Sequence, residues 1–269
     1  MNEVRVATAN SPVRARYRSV IEFVSLYGSL TLLALICLVW SLITLPLYPL
    51  LPRGAARSFG RRGIMRGFRL YARWLQLIGA YRLDLTALDA LRDGPPLILA
   101  PNHPSLIDAL LVLTRHPNLA CVMKADLMGN ILLGPGARLA RYIRNGSPRQ
   151  MVREAVQDLR GGGSLLLFPE GTRTTRVPLN TLSRSVGVIA RHAGVAVQTL
   201  LIDTDSPFLS KGWPLWGRPA LPITWRVRLG RRFDPPEDVE AFMQELDRYY
   251  RCELQASAAA QWIGRSGRR

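Results

Sequence analysis

Cysteine is scarce in this chain of 269 residues: Cys37, Cys121 and Cys252 are the three present, and they lie far apart. They make no metal-ligand spacing and no disulfide framework, which fits a reducing compartment. Histidine is as rare, with His103, His116 and His192, so no His-rich metal centre is expected. Lysine occurs only at Lys124 and Lys211. Asp and Glu total 19 against 36 Lys and Arg, so arginine carries most of a formal charge of +17. Internal repeats are lacking, and charge vanishes altogether between Phe23 and Pro52. What is present is a hydrophobic content of 48%, which excludes a wholly disordered chain and suffices for a core.

The uncharged run FVSLYGSLTLLALICLVWSLITLPLYPLLP is long enough to cross a hydrocarbon core, which needs about 20 apolar residues. A secretory signal is the competing reading, but its apolar region is about 7–15 residues and a small-residue cleavage site should follow. Here prolines and arginines follow instead. Trp40 and Tyr48 suit an interface, and Pro46, Pro49 and Pro52 mark the expected helix end. Arg53, Arg57, Arg61, Arg62, Arg66, Arg69 and Arg73 come next, interleaved with Phe59, Ile64, Phe68, Leu70, Tyr71 and Trp74. That pattern suits a helix in the headgroup layer of an anionic cytoplasmic leaflet. A basic helix packed on a soluble domain is the alternative. Charge flanking places the chain after Pro52 in the cytoplasm. Arg14, Arg16 and Arg18 on the other flank leave a single span and a hairpin bending near Gly28 or Pro46 both open.

Beyond about Arg82 the pattern alternates. Apolar runs at 97–100, 120–123, 165–168, 195–202 and 223–229 read as buried strands. Helix-compatible stretches cover 105–114, 149–159, 182–192 and 235–263, with Asp234 as the expected N-cap of the last and Gly264 to Arg269 as a frayed basic tail. The expectation is an α/β fold with a largely parallel central sheet flanked by helices, preceded by a membrane-anchoring helical segment. Residues 1–82 would form the anchor and basic helix, and 83–269 the catalytic domain. Gly161-Gly162-Gly163 precedes a strand and reads as a turn, not a phosphate loop.

Ligands of such a sheet belong at the carboxyl ends of its strands, and two strand ends carry chemistry. Asn102-His103-Pro104-Ser105-Leu106-Ile107-Asp108 follows the first run. With His103 on the loop and Asp108 in the helix, the carboxylate can accept from Nδ1 and leave Nε2 to take a proton from a hydroxyl. The plain alternative is a capped turn in which Asp108 favours a helix start. Phe168-Pro169-Glu170-Gly171-Thr172-Arg173 ends the run at 165–168 and offers a close-approach glycine, a hydroxyl and a forked cation.

N-H-x4-D followed about 60 residues later by F-P-E-G-T-R resembles the glycerolipid acyltransferases of the lysophosphatidate acyltransferase type. The resemblance spans roughly 97–205. It implies His103 as general base with Asp108 as its partner. It implies that Glu170, Gly171, Thr172 and Arg173 engage the acceptor, with Arg173 near its phosphate. Asn102, Lys124 (in Lys124-Ala125-Asp126-Leu127) and Arg144 (in Tyr142-Ile143-Arg144) are further acceptor-site candidates. The family's later V-P-x-x-P block is replaced by Val195-Ala196-Val197-Gln198-Thr199-Leu200. The aromatic segment after it holds Trp213 and Trp216, expected at the membrane interface or in an acyl pocket.

The implied reaction moves an acyl group from an acyl thioester, on acyl carrier protein or coenzyme A, to the hydroxyl of a lyso-glycerolipid. The acceptor expected is 1-acylglycerol-3-phosphate, or another lyso-lipid such as an acyl-amino-acid lipid. The setting expected is the cytoplasmic face of the inner membrane, in phospholipid synthesis, with membrane lipids as neighbours and no metal or resident cofactor. A non-catalytic lipid-binding protein on the same fold is the second reading. A nucleic-acid binder is the third, and the arginines beside the apolar run explain much of the charge without nucleic acid.

Overall fold

The computed structural model describes residues 12–214 and 217–266. The chain opens with two helices, α1 (Pro12–Leu50) and α2 (Arg53–Leu77). β1 (Tyr81–Asp84) and a short 3₁₀ turn (Thr86–Leu91) lead to β2 (Ile98–Pro101), α3 (Asp108–Leu113) and β3 (Leu119–Lys124). Then come α4 (Ala125–Gly129), α5 (Gly134–Leu139), β4 (Ile143–Asn145), α6 (Pro148–Arg160), β5 (Ser164–Leu166) and α7 (Ser185–Ala193). The described chain ends with β6 (Val197–Thr204), β7 (Ile223–Phe233) and α8 (Val239–Ser266).

The seven strands form one sheet in the order β1-β7-β6-β2-β5-β3-β4. β6 and β7 pair antiparallel and every other pairing is parallel. β2 is buried along its whole length and β6 over its first six residues, as central strands covered on both faces must be. Right-handed crossovers set the helices. β2 crosses to β3 through α3 in one direction, whereas β4 to β5 and β5 to β6 cross through α6 and α7 in the other. The helices that follow β2 and β5 therefore leave toward opposite faces. These neighbouring strands flank the crevice where a doubly wound sheet holds its ligand.

α1 does not turn back at Gly28 or Pro46. It is continuous from Pro12 to Leu50, and the reversal falls between it and α2. The two helices pack as an antiparallel pair: Trp40 stacks on Phe59 at 5.5 Å and abuts Gly63, while Ile36 abuts Gly67. Glu22–Leu50 is long and apolar enough to cross a membrane, with mean hydropathy 2.4 and only 11% of its most apolar window buried. Val24, Leu35, Val39, Leu42 and Leu45 form an exposed apolar stripe.

α2 is the packed helix of the alternative reading on one side and a basic, apolar surface on the other. Ala56, Gly60, Ile64, Met65, Ala72 and Leu75 are buried, and so is Arg61. Phe59, Arg62, Arg66, Leu70, Arg73, Trp74 and Leu77 are exposed on the far side. Three of the expected headgroup arginines are structural. Arg57 and Arg61 bind Asp158, and Arg69 donates to the Thr114 carbonyl.

Element ends differ from the sequence expectation in instructive ways. The last helix starts at Val239, and the cap is Asp238, whose Oδ1 accepts from the N–H groups of Glu240 and Ala241; Asp234 lies in the preceding loop. α8 continues through Gly264 to Ser266, where a frayed tail was expected; residues beyond lie outside those described. β1, η-turn residues 86–91, β4, α4 and α5 had no clear sequence signal because each is only three to six residues long. β1 lies across the expected 82/83 boundary.

Candidate active site

The turn after β2 starts with Asn102, whose side chain extends the sheet. Its Nδ2 donates to the Ile202 carbonyl at 3.1 Å, and its Oδ1 accepts from Ile202 N–H at 2.7 Å. A residue so engaged and buried fixes the strand end. His103 follows on the turn, and Asp108 is the first residue of α3. His103 Nδ1 and Asp108 Oδ2 are 2.9 Å apart, and Ser105 N–H donates to the same oxygen at 2.7 Å. The Asp108 side chain is 0% exposed and that of His103 13%, so the carboxylate is sealed while the ring edge reaches the surface. Burial pushes the Asp108 carboxyl upward, against the opposing pull of His103 and of the Ser105 N–H. With Nδ1–H directed at Asp108, Nε2 keeps its lone pair for a proton from outside.

The turn after β5 holds the histidine from the other side. The Phe168 ring stacks on the imidazole at 3.8 Å between centroids and 22° between planes. Glu170 is buried. Its Oε1 accepts from His103 N–H at 3.0 Å and from Thr174 Oγ1 at 2.7 Å, and its Oε2 accepts from Asn180 N–H at 2.9 Å. Thr174 N–H donates back to the His103 carbonyl at 2.8 Å. Both backbone polar groups of His103 are thus fixed by the FPEGTR turn. Glu170, read from the sequence as an acceptor contact, has both oxygens engaged by its own chain. Gly171 is exposed with φ +65, a conformation glycine adopts without a side-chain clash, and Thr172 is half-buried beside it.

Arg173, expected near the acceptor phosphate, is tied to the chain through one of its nitrogens. Its Nη1 donates to the carbonyls of Leu209 at 2.9 Å and Ser210 at 3.0 Å. Ser105 Oγ donates to Phe208 O at 2.8 Å, and Leu106 N–H to Leu209 O at 3.0 Å. The loop after β6 is thereby fastened to both motif turns and forms a third wall. Lys124 and Arg144 end adjacent strands, where β3 pairs Met123 with Arg144 and Lys124 with Asn145. Both are exposed, and neither has an ion-pair partner among the described residues. Among those residues no group of three or more His, Cys, Asp or Glu side chains could hold a metal ion.

A family model described as acyltransferase matches residues 82–203, the span that holds every one of these residues except the Phe208 loop. Over that span the chain is similar to acyltransferases. It is 24% identical over 189 residues to a 1-acyl-sn-glycerol-3-phosphate acyltransferase of Pseudomonas aeruginosa, covering 68% of this chain and 72% of that protein. It is 33% identical over 126 residues to a lyso-ornithine lipid O-acyltransferase of the same organism, covering 42% and 48% of the two chains. The crystal structure of the 1-acyl-sn-glycerophosphate acyltransferase from Thermotoga maritima has the same fold. It superposes with a TM-score of 0.66 at 19% identity, over 91% of this chain and 98% of that one.

Two parts of the candidate site are not legible in the sequence. The stacking role of Phe168 was signalled only by its place at the head of the second motif. The clamped loop at Phe208 and Leu209 was visible as an unusual aromatic segment, but nothing local announced that Arg173 would grip it. Trp213 meets Phe208 edge-on at 5.6 Å and is half-buried. Trp216 lies outside the described residues.

Proposed function

We propose that this enzyme transfers a fatty acyl group from an acyl thioester to the free hydroxyl of a lyso-glycerolipid, with 1-acylglycerol-3-phosphate as acceptor, in phospholipid synthesis. The observation that carries the reading is the His103–Asp108 pair at the carboxyl ends of β2 and β5, with the carboxylate fully buried and the imidazole side chain 13% exposed.

In this reaction His103 Nε2 takes the proton of the acceptor hydroxyl as its oxygen attacks the thioester carbonyl carbon. Asp108 stabilises the resulting imidazolium. The tetrahedral adduct expels the thiolate, which receives the proton from Nε2, so base and acid are one ring. General-base help of this kind is worth about 10²–10⁴-fold. Lys124 and Arg144, two cations without an ion-pair partner among the described residues, lie at the carboxyl ends of β3 and β4 and supply the charge for an anionic headgroup. No resident cofactor enters the scheme; the thioester arrives on acyl carrier protein or coenzyme A. The exposed apolar stripe of α1 and the Arg62, Arg66, Leu70, Arg73 and Leu77 surface of α2 hold the crevice at the bilayer, on the cytoplasmic face of the inner membrane.

A lyso-ornithine lipid is the second acceptor reading, favoured by the 33% identity over 126 residues. Membranes holding the enzyme would be offered both lyso-acceptors with each thioester, and products resolved by mass spectrometry. Transfer to the phosphate acceptor that disappears in His103→Ala supports the proposal. Undiminished transfer in that variant sinks the mechanism, and transfer to the ornithine lipid alone sinks the acceptor.

A further inference from the structure

α6 carries a face that the acyl-transfer chemistry leaves unused. Met151, Ala155 and Leu159 point into the core. Arg149, Val152, Arg153, Val156, Gln157 and Arg160 recur at helical spacing on the other side and, with His192 of α7, line a groove of about 510 Å³. Eleven steps of helical rise make this stripe about 16 Å long, three turns of a helix. Its floor is apolar, with Val152 and Val156 half-buried against the core. Its rim is of one sign. Arg149 and Arg153 are exposed and have no ion-pair partner among the described residues, and Arg160 is fixed through Nη2 to the His192 carbonyl at 2.6 Å. The acids of α6 lie off the stripe: Asp158 is held by Arg57 and Arg61, and Glu154 accepts from Gln150.

The groove lies on the side of α6 away from Asp158, which Arg57 and Arg61 of α2 bind. α6 and α7 cover the sheet face opposite α3, the helix against which α2 packs. The groove's rim residues Arg149, Arg153 and Arg160 are exposed. A three-turn trough with an apolar floor and a cationic rim is complementary to one amphipathic helix whose flanks are acidic.

We propose that the α6/α7 groove docks an acidic helix of the carrier protein that bears the acyl thioester. The inference rests on the thioester chemistry proposed above and names the bearer of the donor. The first turn of α6 follows the carboxyl end of β4, on the same edge of the sheet as His103. β4 and β2 are three strand spacings apart, about 14 Å. A carrier seated on α6 reaches the crevice along that edge with a flexible arm and does not have to pass through the sheet. The single-sign rim also raises the encounter rate with an acidic partner and makes it sensitive to salt.

The test uses the full chain in lipid nanodiscs, with one acyl chain presented on acyl carrier protein and, separately, on coenzyme A. Arg149→Glu with Arg153→Glu changes two exposed residues remote from His103, and Arg149→Ala with Arg153→Ala is the milder companion. The expected result is a KM for the protein-bound donor raised about tenfold or more by reversal and less by neutralisation, with a flatter salt dependence. Transfer from the coenzyme A donor should change by less than about twofold, which also shows that the variants fold. An unchanged KM for the carrier-bound donor in the reversed variant overturns the proposal. So does wild-type enzyme that uses the coenzyme A donor alone, an outcome that leaves the proposed acyl transfer standing. Transfer from neither donor overturns both.

Discussion

The Arg173 guanidinium donates through Nη1 to the Leu209 carbonyl, in a loop where Leu209 itself holds φ at +56. A leucine in that left-handed region costs of order 1 kcal/mol or more and persists only where its surroundings hold it. Here they are the Arg173 contact and the Leu106 N–H on the same carbonyl. If Arg173 acts by position, it fastens the third wall of the site to the FPEGTR turn, while Leu106 N–H joins the same carbonyl to the turn that carries His103. Arg173→Gln keeps an amide donor without the charge and is expected to retain kcat and acceptor KM within about threefold. Arg173→Ala is expected to lower kcat about 10–100-fold through misplacement, with little change in acceptor KM. Steady-state kinetics with an anionic lyso-acceptor checks this. A KM that climbs in both variants and recovers in Arg173→Lys would instead make Arg173 a headgroup contact.

Arg61 is the buried charge that joins α2 to the sheet. It is 1% exposed, and its donors reach Asp158 Oδ1 at 2.7 Å, Asn118 Oδ1 at 2.9 Å and the Ala140 carbonyl at 3.1 Å. Removing one partner of a buried pair costs about 3–5 kcal/mol when the other charge is left uncompensated; Arg57, at 3.4 Å from Asp158, keeps part of that compensation and puts the loss at the lower end. Arg61→Met is therefore expected to destabilise by that order in urea unfolding of the detergent-solubilised protein. Arg61→Lys should recover only a minor part, because one ammonium cannot reproduce three divergent contacts. Both variants melting like the parent would show that the network contributes nothing.

The sequence carried the fold class because β2, β3, β5 and β6 are buried central strands, written as short apolar runs between turn residues. β1 and β4 escaped because edge strands of three or four residues have no periodicity to read. The base pair was legible from spacing: a turn histidine and a helix aspartate five positions on meet at 2.9 Å. The second motif was legible as a site but not in its division of labour. Glu170 and Arg173 look like ligand groups in sequence, and only the tertiary fold shows the His103 N–H and the Leu209 carbonyl already bound to them. In the same way Arg57, Arg61 and Arg69 read as headgroup contacts until their partners, far away in sequence, come into place.

Trp40 locks α1 to the domain. A Cβ on Gly63 would fall inside the contact distance of its ring, and one on Gly136 would meet the same indole from α5. Ser41 Oγ adds a hydrogen bond to the Leu132 carbonyl at 2.8 Å. Gly63→Val is expected to displace the indole and loosen α1 from α2 and α5, with faster proteolysis between the two helices and a lower melting temperature. Trp40→Ala removes the clashing ring, so the double variant Gly63→Val, Trp40→Ala should be less unstable than the sum of the single changes. Additive losses would show that Gly63 and Trp40 do not meet in solution.

His116 gives the fold a pH dependence of its own, separate from His103. It is 7% exposed, and its Nδ1 accepts from Asn118 N–H at 3.2 Å. Burial, aided by the nearby Arg61 charge, lowers its pKa to about 4 from the ordinary value of 6.5. Between pH 6.5 and 4 the unfolded chain binds a proton at this ring that the folded chain refuses, so stability falls as pH falls through that window. The full loss is about 3 kcal/mol. Above pH 6.5 both states hold the ring neutral and the contribution is flat. His116→Gln keeps an acceptor without a titrating group, and its stability should decline less steeply than the parent's from pH 6.5 to 4 in urea melts. Parallel curves for parent and variant across that window would mean that the imidazole is protonated in the folded protein.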